Sequence, residues 1–149
     1  MLIERLSAIV GDANVLTGEQ VSSRAVSWAD RSPCQARAIV RPGSTDEVSR
    51  VLAECHATGQ PVVLFGGLTG LVQGSVASAH EIALSLERMH RIESIDPIGR
   101  TMTVEAGVAI QRIQEEAEKH GLLYPVDFGA RGSAHIGGSA ATNAGGNGV

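Results

Sequence analysis

An α+β fold is predicted, a small mixed sheet containing a strand–helix–strand unit and then a β-hairpin, a helix and a glycine-rich loop. Three observations predict it. Short apolar runs alternate with one clearly helical stretch between Ala36 and Phe65. A hairpin turn signal, Asp96-Pro97-Ile98-Gly99, separates two further strand candidates. Eighteen glycines in 149 residues are gathered in loops rather than spread in a fibrous period.

Each element has a local reason. Leu2, Ile3, Leu6, Ile9 and Val10 recur at helical spacing, and Gly11 is placed to end that helix. The polar stretch from Asn14 to Gln35 reads as an arm with at most one short helix. Ala36 to Val40 is a strand candidate, and Pro42-Gly43 a turn. Ser44 and Glu47 stand in the relation of a capping box, each side chain reaching the other's backbone N–H. Val48, Val51, Leu52 and Cys55 then mark one helix face, closed by Gly59 and Pro61. The run Val62 to Phe65 is expected to be a strand buried on both faces. Glu81 to Leu86 is a further strand, and Ile92–Ile95 with Thr101–Glu105 the hairpin arms. Ile110, Ile113 and Ala117 line a last long helix, with Gly121 at its C-terminal end. The core is expected from these strands and the two later helices. The domain reading is an N-terminal helix and arm over 1–35 and one domain over 36–149.

Composition excludes some classes. A formal net charge of −4 argues against electrostatic capture of nucleic acid or an anionic membrane. Aromatics are scarce (Trp28, Phe65, Tyr124, Phe128), so no base-stacking platform is expected. Cys34 and Cys55 form neither a disulfide framework nor a metal-ligand spacing, which fits a reducing, cytoplasmic setting. The N-terminal residues carry Glu4 and Arg5 and are neither a signal segment nor a membrane span.

Two loops carry the chemistry. Gly66-Gly67-Leu68-Thr69-Gly70 follows an apolar strand, where ligands collect in α/β sheets. Its side-chain-poor backbone is either a tight turn or one wall of an anion nest. It lacks the Gly-Lys-Ser/Thr of a P-loop and the spacing of the dinucleotide fingerprint. The second loop runs from Gly129 to Gly148, and its Gly137–Asn143 part is read as a short helical turn whose leading amides point at an anion. Asn143 is a cap or a catalytic group, with the cap favoured. His135 is a backbone-bonded structural residue in preference to an acid–base group, and no metal site is expected around it. Arg131 is either a solvated charge or a phosphate partner. Asp127 is expected to fix its loop through its own backbone.

Pro61 to Ser75, the strand ending Glu105-Ala106-Gly107, and above all Gly132-Ser133-Ala134-His135-Ile136-Gly137-Gly138 with Ala141-Thr142-Asn143-Ala144-Gly145-Gly146 resemble the FAD-linked oxidases of the vanillyl-alcohol oxidase/p-cresol methylhydroxylase (PCMH) type. Within them the chain is most similar to the D-2-hydroxyglutarate/D-lactate dehydrogenase and glycolate oxidase group. The resemblance implies the N-terminal portion of a PCMH-type FAD-binding fold, with the FAD diphosphate between the two loops. Gly66, Gly67, Leu68, Thr69, Gly70 and Leu71 would supply one wall. Ser133, Ile136, Gly137, Gly138, Ala141 and Asn143 would supply the other, and Pro125 would lie near the flavin. It implies oxidation of a 2-hydroxy acid, with the base, substrate arginines and any metal ligands in a later domain, and an electron acceptor that the sequence does not name. No catalytic residue is therefore assigned in this chain. Leu68 stands near where covalently flavinylated members need a histidine, so FAD is expected to be held non-covalently. Phe65 and Gln73 also depart from the family pattern. The expected state is a fragment, truncated frame or one piece of a split enzyme, inactive alone, with a dimer possible. Alternatives are a non-catalytic nucleotide-binding or assembly module, and a reductase of the UDP-N-acetylmuramate type on the same scaffold.

Overall fold

In the computed structural model, which describes residues 1–149, the first helix α1 (Leu2–Val10) places Leu2, Leu6 and Val10 on one buried face at successive i, i+4 positions. A 3₁₀ turn at Asp12–Asn14 leads to β1 (Val15–Leu16), and a single-turn helix α2 (Glu19–Ser22) follows. Next come β2 (Ala38–Val40), α3 (Thr45–Ala57), β3 (Val62–Phe65) and β4 (Ile82–Ser85). The second half holds β5 (Ile92–Asp96), β6 (Thr101–Val104), α4 (Ile110–Lys119) and α5 (Ile136–Thr142). The chain divides into two compact units, Met1–Arg88 and Met89–Val149. No helix is long and apolar enough to cross a membrane.

In the first unit the sheet order is β1-β2-β4-β3, with β2, β4 and β3 parallel and β1 antiparallel on β2. The central strands β2 and β4 are buried along their whole length, as expected of parallel strands covered on both faces. The sequence expectation for β3 fails. It lies at the sheet edge, Leu64 is 61% exposed, and only Phe65 is fully buried. An unbroken apolar run does not say which strand will be outermost.

The core is also wider than the sequence predicted. Leu2, Leu6, Val10 and Val15 join Val40, Val51, Cys55, Ile82 and Leu84 in one apolar cluster, so the N-terminal helix is part of the core. Each such side chain contributes about 2 kcal/mol by leaving water. An Arg5–Glu54 ion pair of 2.9 Å also joins α1 to α3. The capping box is altered as well. The Ser44 hydroxyl accepts the Glu47 amide at 3.2 Å, but the Glu47 carboxylate accepts the N–H of Gly43, one residue earlier, at 2.7 Å. The arm, read as loop, supplies the outer strand β1.

In the second unit β5 and β6 form the predicted antiparallel hairpin, with an irregularity between Ile92 and Ser94. Asp96 shapes the turn, its Oδ1 accepting the amides of Ile98 and Gly99 at 3.0 Å each. Ile110, Ile113 and Ala117 bury one face of α4, and Gly121 past its end has the left-handed φ of 68°. At the end of β6 the carboxylate of Glu105, 6% exposed, receives three donors of Arg91: N at 2.7 Å, Nη2 at 2.7 Å and Nε at 3.1 Å.

Candidate functional site

The first candidate loop leaves β3 at the carboxyl edge of the parallel sheet. Every hydrogen bond the protein makes to Gly66–Leu71 ends on a carbonyl. Leu68 O accepts the Trp28 amide at 3.2 Å, and Thr69 O accepts Trp28 Nε1 at 3.1 Å. The amides from Gly66 to Leu71 donate to nothing in the chain. Leu68 has a φ of 55°, an uncommon state for a branched side chain. Its side chain packs against the cluster containing Leu16, Val21, Phe65 and Ala77, so side chain and core meet while the backbone stays bare. Gly70 is exposed, with nothing within 4 Å of where a Cβ would stand. Leu71 is 73% exposed.

The same sheet edge carries charges that sequence reasoning missed. Arg41 follows β2, and Glu87-Arg88 follow β4. Glu87 pairs with Arg24 through two bonds of 2.8 and 3.1 Å and with Arg41 at 3.1 Å. Burial pushes the Glu87 carboxyl up, but the two guanidinium partners outweigh it and hold it below its usual range. Arg88 donates to Arg41 O at 2.7 Å. The signal was available, since both sites lie just past the carboxyl ends of parallel strands.

The second loop behaves differently. Helix α5 has seven residues, and its first two amides are spent: Ile136 donates to Val108 O at 2.8 Å and Gly137 to Ala106 O at 2.9 Å. The Ser133 amide donates to Ala130 O at 2.9 Å. The expectation that leading helix amides are presented to an anion thus fails for Ile136 and Gly137, whose amides are consumed by backbone pairing with the segment after β6; the exposed amide of Gly138 alone in this first turn donates to nothing in the chain. Gly137 is needed for that approach, because a Cβ there would stand 2.8 Å from Ala106 Cβ and 2.9 Å from Ala106 O. Gly146 has the same use, since a Cβ would collide with the Asp127 carbonyl. Gly138 and Ala141 are exposed on α5, and Ser133 is exposed just before it. Asn143 ends the helix in the left-handed conformation (φ 53°, ψ 41°), the cap role favoured from sequence.

His135 is the N-cap of α5, its carbonyl accepting the Ser139 amide at 3.0 Å and its backbone bridged to Ala109, in line with a structural role. Asp127 does not fix its loop mainly through its own backbone, as expected from sequence. Its Oδ1 binds Arg131 Nη1 at 2.7 Å and Gln114 Nε2 at 3.5 Å, and the guanidinium holds the carboxyl below its usual range. Arg131 is thus an exposed ion-pair partner. Pro125, Asp127, Phe128 and Arg131 line an open cavity of about 850 Å³.

A bound FAD needs unsatisfied donors for its diphosphate, and the first loop offers a run of them on bare backbone; these residues fit the group. The exposed Ser133 hydroxyl, Asn143 and the unspent amide of the exposed Gly138 are what the second segment has to offer.

Residues 36–149 match the family model described as "FAD binding domain". The D-2-hydroxyglutarate dehydrogenase of Xanthomonas citri pv. viticola is 45% identical over 119 residues, covering 80% of this chain and 25% of that protein. The probable mitochondrial D-2-hydroxyglutarate dehydrogenase of Oryza sativa subsp. indica is 37% identical over 145 residues, covering 97% and 26%. The chain thus spans about a quarter of the length of these relatives. Among solved structures, alkyldihydroxyacetonephosphate synthase superposes with a TM-score of 0.80 at 18% identity, over 95% of this chain and 31% of that one. Substrate-bound p-cresol methylhydroxylase gives 0.70 at 21%, over 95% and 28%. Both share the PCMH-type fold with this chain.

Proposed function

This chain belongs to the FAD binding domain family, and we propose that it is the part of a D-2-hydroxy-acid dehydrogenase that grips the FAD diphosphate. One observation carries the reading: the amides of Gly66–Leu71, unspent within the protein, lie at the carboxyl edge of a parallel sheet. Hydrogen bonds to a charged group contribute about 1.5–3 kcal/mol each, so three or four such donors hold a diphosphate without lysine. In the first unit the proposed FAD contacts are the backbones of Gly66, Gly67, Leu68, Thr69, Gly70 and Leu71. In the second unit they are Ser133, Ile136, Gly137, Gly138, Ala141 and Asn143, with Ser133 Oγ, the Gly138 N–H and the Asn143 side chain as the polar groups, and Pro125 is the proposed flavin contact.

FAD, when bound, supplies the acceptor for two electrons from the substrate carbinol. This chain's contribution is to orient and shield that group. The relatives are named for D-2-hydroxyglutarate, and that is the proposed substrate, ahead of D-lactate and glycolate. Those names also disfavour the reductase alternative. Attachment is non-covalent, since Leu68 offers no nucleophile. The two buried free thiols, Cys34 and Cys55, support a reducing, cytoplasmic setting.

The test is direct. The purified chain is mixed with FAD, desalted and precipitated with acid. Yellow colour is expected to co-elute with the protein and then to pass wholly into the acid supernatant. Colour retained by the pellet would show a covalent link, and no co-elution with no rise in melting temperature would refute FAD binding. Dye reduction with D-2-hydroxyglutarate is expected only from a polypeptide carrying the remaining three quarters of the relatives' length.

A further inference from the structure

Trp28 is held in an unusual way. It lies at the tip of a tight loop closed by Val26 N to Ser32 O and Ser27 N to Asp30 O, each 3.0 Å, and by Asp30 N to Ser27 Oγ at 3.0 Å. The residue is 57% exposed, so burial explains little of its placement. The arm is fastened without it: Val21, Val26 and Cys34 are buried, and Arg24 is paired with Glu87. What Trp28 does make is two hydrogen bonds to successive carbonyls, Leu68 O and Thr69 O.

Those contacts fix directions as well as distance. A trans peptide is planar, and its C=O and N–H point opposite ways. No peptide bond in the chain is cis. Anchoring Leu68 O therefore turns the Thr69 N–H away from Trp28, and anchoring Thr69 O turns the Gly70 N–H away as well. Two successive amides are aimed at the same side, as in an anion nest. The positive φ of Leu68 accommodates this course.

We propose that Trp28 is a positioning residue that aims the Thr69 and Gly70 amides at the FAD diphosphate. The proposal rests on the reading of Gly66–Leu71 as the diphosphate wall. Trp28 never touches the reacting atoms. It sets the geometry of two donors before the ligand arrives, which lowers the ordering cost of binding.

The experiment uses the ¹⁵N,¹³C-labelled chain, titrated with FAD by NMR and calorimetry, beside Trp28→Phe, which keeps a ring and lacks the donor. In the free protein, Trp28→Phe is expected to shift the Thr69 carbonyl and the Thr69 and Gly70 amides. The FAD Kd is expected to rise about fivefold, the size of one net hydrogen bond. Trp28 is the sole tryptophan, so 7-azatryptophan, which keeps the ring N–H, can replace it alone and is expected to restore the affinity. Val26→Ala loosens the buried arm without touching either bond, and is expected to lower the melting temperature and leave Kd unchanged. Unchanged Kd and loop resonances in Trp28→Phe, or an equal loss of affinity in Val26→Ala, would overturn the proposal while leaving the loop reading intact. If FAD does not move the Thr69 and Gly70 amides of the unmodified chain, the loop reading fails and takes the proposal with it.

Discussion

The two glycine-rich loops look alike in sequence and differ in what their backbones do. In Gly66–Leu71 the carbonyls of Leu68 and Thr69 are anchored and the amides are left over. In the segment around α5 the amides of Ile136 and Gly137 are already donated to Val108 and Ala106. Glycine at 70 leaves open space, whereas glycine at 137 permits two segments to touch. The lesson is that a small-residue loop has two uses, exposure of donors and close packing, and composition does not separate them.

The largest effect that would break this comparison is at Gly137. Gly137→Ala forces a Cβ against Ala106 and is expected to destabilise the protein by about 2–3 kcal/mol, read as a lowered urea midpoint. A neutral result would mean that α5 is not docked by its amides. Next is Glu105, whose pairing with Arg91 braces the strand end just before Ala106. The Arg91 guanidinium holds the Glu105 carboxyl below its usual range. A carboxyl depressed in the folded state adds stability that is complete above its unfolded value, about pH 4.3. That stability is lost as the pH falls below it, through the folded value. Glu105→Gln is expected to lower the melting temperature at pH 7 and to flatten its acid decline between about pH 4.5 and 3, in a melting series against pH. The smallest effects belong to the first loop. Gly70→Ala meets nothing and is expected to stay within about 0.5 kcal/mol of the parent in stability. Gln73→Gly relieves a φ of 59° on an exposed residue and is expected to add about 0.5–1 kcal/mol in the same urea titration.

Much of the fold was legible because its signals are local. Ser44 placed the start of α3, Asp96 the hairpin turn, and the spacing of Ile110, Ile113 and Ala117 the buried face of α4. The larger failures are non-local, while the Glu47–Gly43 and Asp127–Arg131 contacts are misreadings within one helical turn. Val62–Phe65 reads as an interior strand, but its place at the edge depends on β4 inserting between it and β2. The first two amides of α5 are lost to a segment about thirty residues earlier, and no local pattern announces that. The candidate wall at Gly66–Leu71 was visible as bare backbone. The indole that anchors its carbonyls was not, because 41 residues separate Trp28 from Thr69. Glu87 and its two arginines were missed for the same reason, although their positions past strand ends carried a hint.

The apolar cluster shared by α1, β1, β2, α3 and β4 has a practical consequence. The segment that matches the family begins at residue 36, yet four members of that cluster, Leu2, Leu6, Val10 and Val15, precede it. The boundary of the family model and that of mechanical integrity thus fall at different places, and the rice relative's 145-residue match runs past the former. A polypeptide started at residue 36 would open a greasy trench over Val40 and Val51 and forfeit the indole. Anyone trimming this chain for crystallisation should keep the first thirty-five residues.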